Sequence, residues 1–464
     1  MTESSFKNEK YSNIFAIGDI HGDIMPLIVC LRDCCKVIVK KSNFNFNQNE
    51  IDKDLVDMLS KEWDDKSYVE DLNYEWCGGS SAVVFCGDLL DNVRSDIYKK
   101  PQEFPMEEAR IFLFINKINK QAMNNNGRIY KVLGNHDMYN LNGKSKINYS
   151  TYISTYAKKY PGYFNGADGR LDYFCAGKPG AKIIGEDGAY LFLMINEFIF
   201  VHGGISSSLI TEKNINEINN SLNEFIKGNN TKFDLESNTL ENQITFNNDE
   251  EDGLVHDRFF GFKNGKNEDE LCSVLYNKFQ RICTNLNIIS CDPNKLKLIM
   301  GHCVQNKTTN DKNNIFESSF SKLINSNEKD KLIYSEEFAA PIYRGDASFD
   351  KDKSIYGITV SCGNRTENNV SIIDFNNPSI FRIDVGMSRG FNTKKYSDEY
   401  AYSRTPQVLK IEYPNKMSII KSSLKNTLIH IKDLDVNPYM KKYNKYKSKY
   451  YLLKKIMDNI MRST

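Results

Sequence analysis

The stretch Gly18-Asp19-Ile20-His21-Gly22-Asp23 comes directly after the apolar run Ile14–Ile17. A short apolar run closed by turn residues is strand-like, and the residues just past a strand's end sit on a turn that can face a ligand. Asp19 and His21, two positions apart, offer a carboxylate oxygen and an imidazole nitrogen. That pairing suits zinc, iron or manganese better than calcium or magnesium. On its own an Asp-x-His turn is more often a plain turn than a metal site.

The same arrangement recurs along the chain. Ala82–Cys86 leads into Gly87-Asp88, with a further carboxylate at Asp91, and Ile129–Leu133 leads into Gly134-Asn135-His136-Asp137. Phe198–Val201 leads into His202-Gly203-Gly204, and Leu296–Met300 into Gly301-His302. The chain has 6 His, and four of them (His21, His136, His202 and His302) fall at these strand ends. Five separate accidents are a poor account of that placement. His256 and His430 lie elsewhere, and for His430 an ordinary helix or loop residue is the simpler reading.

The ordered set GDIHGD, GDLLD, GNHD, VHGG and GH resembles the calcineurin-type metallophosphoesterases, and more narrowly the phosphoprotein phosphatases. GNHDMYNL (134–141), IFRIDVGMSRGF (380–391) and RTPQVLKIE (404–412) look most like the Shewanella-like protein phosphatase branch. The likeness extends over residues 13–413 with large gaps. It implies an α/β fold of two stacked mixed β-sheets flanked by helices, here carrying polar insertions.

The resemblance also implies a ligand set. Asp19, His21 and Asp88 would hold a first divalent ion, and Asp88, Asn135, His202 and His302 a second, with Asp88 as the bridge. Manganese, iron and zinc all accept these donors. Phosphate ester hydrolysis explains the need for a pair: two ions about 3.5–4 Å apart clamp phosphoryl oxygens and acidify a water between them. His136 is outside the ligand count and can face the leaving oxygen as a general acid. Asp91, three residues after Asp88, is placed to orient it. Asp137 stands where phosphoprotein phosphatases usually carry Glu, which leaves its contact plausible and its geometry open.

Oxygens of phosphate not held by metal call for arginine. Relatives carry Arg directly after the second carboxylate of GDxxD; this chain has Asn92 there and Arg94 two residues later. Arg258, in GLVHDRFFG, resembles a second phosphate-contacting Arg, with His256 where relatives tend to have an aromatic residue. For both arginines a surface salt bridge is the plainer alternative.

Composition sets wider bounds. At 464 residues the length allows about three domains, yet motifs from Asp19 to His302 must meet in one site, so one large catalytic domain is expected. The expected boundaries are a polar segment 1–12, a catalytic domain 13–414 with insertions near 43–79, 206–251 and 305–330, and a basic, Tyr-rich helical extension 415–464. A hydrophobic content of 40% suffices for a core, and a formal charge of +1 predicts no general attraction to polyanions. The 11 Cys show no CxxC pair or regular spacing, which predicts buried free thiols in a reducing, cytoplasmic compartment. Cys303, beside His302, is a candidate ligand or redox-sensitive thiol, with a packed small residue preferred. Met1–Lys10 lacks a signal-peptide pattern, Thr2 excludes myristoylation there, and Ala189–Val201, interrupted by Asn196 and Glu197, predicts a hairpin and no transmembrane segment.

Between the motifs, Pro26–Lys40 and Met106–Met123 have helical periodicity, and the first would aim its positive N-terminal end at the site. Residues 160–188, rich in Gly, Tyr and Phe, suit a substrate-facing loop or a plain surface excursion. Residues 357–360, 370–375, 380–385 and 408–413 read as the last strands. In 440–462 Lys and Arg interleave with tyrosines, which fits weak contact with nucleic acid or an anionic membrane, or a terminal helix packed through its aromatics; the latter is preferred.

Three functions compete. A protein phosphatase acting on phosphotyrosine or phosphoserine/threonine leads, a dinucleoside polyphosphate (nucleotide) hydrolase uses the same core, with nucleic-acid end repair as a variant, and a non-catalytic scaffold is the different-class alternative. The complete ligand set argues against the scaffold.

Overall fold

The structure is a computed structural model that describes residues 5–40, 74–91, 108–143, 173–210, 212–246, 253–261, 268–285 and 291–303. Further along it describes 359–360, 365–366, 369–370, 379–384, 387, 400–401, 406–412, 416–421 and 428–429. The strands in chain order are β1 (Phe6–Lys7), β2 (Asn13–Ile17), β3 (Ile38–Lys40), β4 (Tyr74–Trp76), β5 (Ala82–Cys86), β6 (Arg128–Val132), β7 (Phe192–Ile195), β8 (Phe198–Val201) and β9 (Lys297–Met300). They continue with β10 (Thr359–Val360), β11 (Arg365–Thr366), β12 (Asn369–Val370), β13 (Ile380–Arg382), β14 (Tyr400–Ala401), β15 (Gln407–Glu412), β16 (Lys416–Lys421) and β17 (Leu428–Ile429).

Two mixed sheets form among the described residues. One has the order β16-β15-β2-β5-β6 and the other β1-β7-β8-β9-β13-β10. Within the first, β2, β5 and β6 run parallel, with Ile17 beside Phe85 and Cys86 beside Val132. Within the second, β8, β9 and β13 run parallel, with Val201 beside Met300 and Met300 beside Arg382. Parallel strands in register end side by side, so the loop after each strand is delivered to one edge of its sheet.

Alternation within each strand explains the layers. Ile14, Ala16, Ala82, Val84, Cys86, Tyr130 and Val132 pack against Leu193, Ile195, Phe198, Phe200, Ile299 and Phe381 in a core between the sheets. Their neighbours Phe15, Ile17, Val83, Phe85 and Ile129 join the larger core under the helices. Burying such a side chain contributes roughly 1.5–3 kcal/mol, so a one-residue slip of β2 would exchange the two cores and is strongly disfavoured. The expected αββα arrangement is what is found.

Several expectations need correction. The helix expected over Pro26–Lys40 is short: an α-helical turn at Ile24–Val29 continues as a π-helical turn over Cys30–Cys34. Lys36 then takes a positive φ of 55° and the β-branched run at 37–39 enters β3, which pairs with β4. Within 206–251, read from the sequence as an Asn-rich polar insertion holding a helix, a helix is indeed found. The helix Glu212–Ile226 buries Ile215, Ile218, Leu222 and Phe225 at helical spacing. On the same helix Asn219 accepts from the Leu191 amide and donates to Ser5 and the Phe192 carbonyl.

Strands also occur inside the expected terminal segments 1–12 and 415–464. Phe6–Lys7 pairs with β7, and Lys416–Lys421 forms the edge of the sheet that carries Asp19, so the described start of the expected helical extension is a strand. Cys283 and Cys291 form a disulfide with Cα atoms 5.2 Å apart, and Cys272 is also disulfide-bonded. Cys30, Cys34, Cys35, Cys86 and Cys303 are buried free thiols as expected, Cys77 is free but exposed, Cys175 is free and half-buried, and the expectation fails for the three bonded residues.

The helix expected at Met106–Met123 runs over Glu108–Met123, and the hairpin at Ala189–Val201 is β7–β8, turning at Asn196 with φ 53°. No helix among the described residues is long and apolar enough to cross a membrane. His430, Arg94 and residues 43–73, 160–172, 305–330, 371–375 and 440–462 lie outside the described residues.

Candidate functional site

Asp19 and His21 come after β2, Asp88 and Asp91 after β5, and Asn135 and His136 open the helix Asn135–Asn142 after β6. His202 and His302 arrive from the other sheet, after β8 and β9. Backbone bonds lock the first two loops together, since the Ile20 and His21 amides both donate to the Asp88 carbonyl. His21 (φ 44°), Asp88 (48°), Asp91 (68°) and His302 (63°) all sit in the left-handed region, which non-glycine residues rarely enter. Four such residues at one place mark a site where packing overrides local preference.

Asp88 is central. Its Oδ2 lies 3.3 Å from His202 Nε2, 3.7 Å from His21 Nε2 and 4.0 Å from His136 Nε2. Its Oδ1 accepts from the His136 amide at 2.9 Å. Burial alone would raise Asp88, but the three histidines hold its carboxyl well below the usual range. Asp19 Oδ2 is 3.8 Å from His21 Nε2, and both its oxygens accept from the His302 amide at 3.2 Å. Burial, then Asp384 and Asp88, push its carboxyl up.

On the opposite wall, His202 Nδ1 donates to the Cys86 carbonyl at 2.8 Å, turning Nε2 toward Asp88 and toward Asn135 Oδ1 at 3.0 Å. Burial would lower His202, yet the Asp88 charge outweighs it and the net direction is up. His302 moves the other way, lowered first by burial and then by the Arg258 charge. A neutral imidazole keeps a lone pair, and neither His302 ring nitrogen has a hydrogen-bond partner among the described residues; nor does Asp88 Oδ2. Buried polar atoms left without a partner in this way are costly unless an ion completes them.

Two groups of side chains have donor atoms close enough to share an ion: Asp88, His202 and His302, and His21, Asp88 and His136. The first holds three of the four residues expected around the second ion, and Asn135 Oδ1 lies 3.0 Å from His202 Nε2 beside it. The other contains His136 where Asp19 was expected, with Asp19 alongside His21. The Nδ1 of His136 lies 2.8 Å from Asp91 Oδ2, so the two residues the sequence reading paired are in hydrogen-bond contact.

Asp137, the residue in place of Glu, turns out to organise the neighbouring loop. Its carboxylate accepts from the amides of Leu89 and Leu90 at 3.0 Å and of Gly134 at 2.9 Å. Burial and the Asp88 charge push it up to about 7. Cys303 is packed against Gly261 and burial raises its thiol to about 12, so the packed small residue is what is found.

Arg258 lies in the segment 253–261, close enough for its charge to lower His302 and His256. The glycines after His202 admit that segment: a Cβ on Gly203 would stand 2.6 Å from the Asp257 nitrogen, and one on Gly204 2.4 Å from Asp257 Oδ2.

Two neighbours of the site carry no role in the sequence reading, although both lie inside its motif segments. Asn140 donates to Asp91 Oδ1 at 2.9 Å and so braces the carboxylate that holds His136. Asp384, just past β13, is buried and hydrogen-bonds to Asp19. Neither has a periodic signal, and only the parallel register of β13 with β9 carries Asp384 beside the metal-type residues.

Comparison with known proteins identifies the family. The chain is 29% identical to Shewanella-like protein phosphatase 1 of Plasmodium berghei (strain Anka) over 228 residues, 47% of each chain. It is 27% identical to Shewanella-like protein phosphatase 2 of Arabidopsis thaliana over 135 residues, 29% of this chain and 23% of that one. The matches thus span about half or less of these relatives. A solved cold-active protein tyrosine phosphatase superposes with a TM-score of 0.46 at 14% identity, covering 89% of this chain and 77% of the other. The family described as calcineurin-like phosphoesterase matches residues 12–302, from just before β2 to His302. The chain is therefore a member of the calcineurin-like phosphoesterase family.

Proposed function

We propose that this chain is a dinuclear-metal phosphomonoesterase and that its substrate is a phosphorylated protein. The observation that carries the reading is the position of His136: fixed at Nδ1 by Asp91, with Nε2 4.0 Å from the Asp88 oxygen around which both donor groups gather. In this reading Asp19, His21 and Asp88 would hold one divalent ion, and Asp88, Asn135, His202 and His302 would hold the other. When bound, such a pair supplies the activated water and withdraws charge from the phosphoryl oxygens.

The chain's own residues do the rest. The Asp91 carboxylate accepts from Nδ1–H of His136 and its charge favours the imidazolium, whose second proton, on Nε2, is the one delivered to the leaving oxygen. Arg258 offers a planar fork to a phosphate oxygen. Asp137 holds the Leu89 and Leu90 amides, and through them the turn that presents Asp88. The names of two relatives, both protein phosphatases, favour a phosphoprotein over a nucleotide substrate.

The test is a panel of phosphotyrosine, phosphoserine and phosphothreonine peptides with diadenosine tetraphosphate, assayed on one manganese-reconstituted sample beside Asp88→Asn. Hydrolysis of peptides, abolished in Asp88→Asn, supports the proposal. Hydrolysis of diadenosine tetraphosphate alone replaces it with the nucleotide reading, and inactivity on all substrates at full metal occupancy leaves the scaffold.

A further inference from the structure

Tyr139 and His256 come from different parts of the site and meet in one hydrogen bond. Tyr139 Oη lies 2.7 Å from His256 Nε2, and His256 Nδ1 lies 3.2 Å from the Phe246 carbonyl oxygen. A carbonyl can only accept, so Nδ1 carries the ring proton and Nε2 accepts from the phenol. The result is a directed chain from Tyr139 through His256 to the backbone at Phe246. The Phe246 ring stacks on Tyr139 at 6.1 Å and 13° and closes the cluster.

The two ends of this bond matter for the site. Tyr139 is three residues after His136 on the helix Asn135–Asn142, and its ring meets the His136 ring edge-on at 6.3 Å. His256 is two residues before Arg258, and its ring centre is 6.2 Å from that of His302. Other bonds tie the 253–261 segment elsewhere: the Gly203 amide donates to the Leu254 carbonyl at 2.8 Å and the Ser206 amide to Asp257 Oδ2 at 2.6 Å, the Leu254 and Val255 amides donate to the Ile244 and Thr245 carbonyls, and Arg382 Nε donates to the Phe260 carbonyl at 2.6 Å. The Tyr139–His256 bond joins the same segment to the helix that carries the proton donor.

We propose that Tyr139 and His256 form a positioning clasp that sets the Arg258 segment against the His136 helix, so that a bound phosphoryl group meets arginine and proton donor in one fixed geometry. This rests on the phosphomonoesterase reading. A bidentate arginine contact tolerates errors of only about half an ångström, so a direct tether to the helix that carries His136 sharpens it. The clasp acts on how the phosphoryl group is held, with no part in activating water.

The experiment uses the full, manganese-loaded chain, with KM and kcat for para-nitrophenyl phosphate and competitive binding of inorganic phosphate as readouts. Tyr139→Phe keeps the ring and removes the donor; it is expected to raise KM and the phosphate dissociation constant roughly five- to tenfold, the range one lost hydrogen bond supports, with kcat within about twofold. His256→Leu should do the same, while His256→Gln, which keeps an acceptor, should return near wild type. In an Arg258→Ala background, Tyr139→Phe should add less than about twofold, because the clasp acts through that arginine. Unchanged KM and phosphate affinity in both Tyr139→Phe and His256→Leu overturn the clasp, as does a full additive loss in the Arg258→Ala background. Wild-type protein that binds no phosphate sinks the phosphomonoesterase reading and the clasp with it, whereas wild-type binding with unaltered variants sinks the clasp alone.

Discussion

Asp91 Oδ2 stands 2.8 Å from His136 Nδ1, with Asp91 at φ 68° and Asn140 donating to its other oxygen. The strained backbone and the brace together fix the carboxylate, and the carboxylate fixes the ring. An imidazole held in this way presents one nitrogen only, Nε2, toward the Asp88 side.

A serine alkoxide is a far poorer leaving group than a phenolate, so the proton donor matters more for it. His136→Ala should lower phosphoserine turnover by about 10²–10⁴-fold and phosphotyrosine turnover by clearly less. Steady-state kcat on matched peptides checks this, and equal losses would contradict the assignment. Asp91→Asn should reproduce the same asymmetry in weaker form.

The Asp137 carboxylate collects three backbone amides from the turns on either side of the site. Asp137→Asn replaces one accepting oxygen by a donor that opposes an amide. Because it supports a metal-type carboxylate from behind, metal affinity should fall roughly 10–100-fold. Isothermal titration of the metal-free variant with manganese reads this without any assay of turnover.

Gly87 has φ +96°, and a Cβ there would stand 2.3 Å from His202 Nδ1. Gly87→Ala is therefore strained in its backbone and blocks the ring that bonds to the Cys86 carbonyl. We expect loss of manganese from the Asp88–His202–His302 group, seen as reduced metal content by elemental analysis, with a lowered melting temperature.

Burial and the neighbouring Arg258 charge push His256 down to about 4. The unfolded chain takes up this proton near pH 6.5 and the folded one only near 4, so this contribution to stability is present above 6.5 and is lost as pH falls toward 4. Melting curves of the metal-free protein should show a smaller fall between about pH 7 and 5 for His256→Gln than for wild type. An identical fall would mean that His256 titrates normally in the fold.

The strand ends were legible because their signals are local. A run such as Ala82–Cys86 closed by glycine declares both the strand and the side chain after it; parallel pairing then sets His202 beside His302, and the stacking of the two sheets brings Asp88 to them. The helix over Pro26–Lys40 was overread because periodicity alone does not register the turn at Lys36 or the β-branched run after it. The Cys283–Cys291 bridge was missed for a related reason: spacing along the chain says nothing of two Cα atoms brought within 5.2 Å.

The sequence by itself determined the layered α/β class, the family, and the residue types offered at the site, since each depends on short-range order of apolar and polar side chains. Only the tertiary structure decided who faces whom: Asp384 against Asp19, Asn140 behind Asp91, Asp137 under the Leu89 turn, and Tyr139 on His256. Each of those contacts joins positions at least 48 residues apart. They depend on strand register and backbone strain, which emerge when the two sheets close on each other and leave no trace in any one stretch of chain.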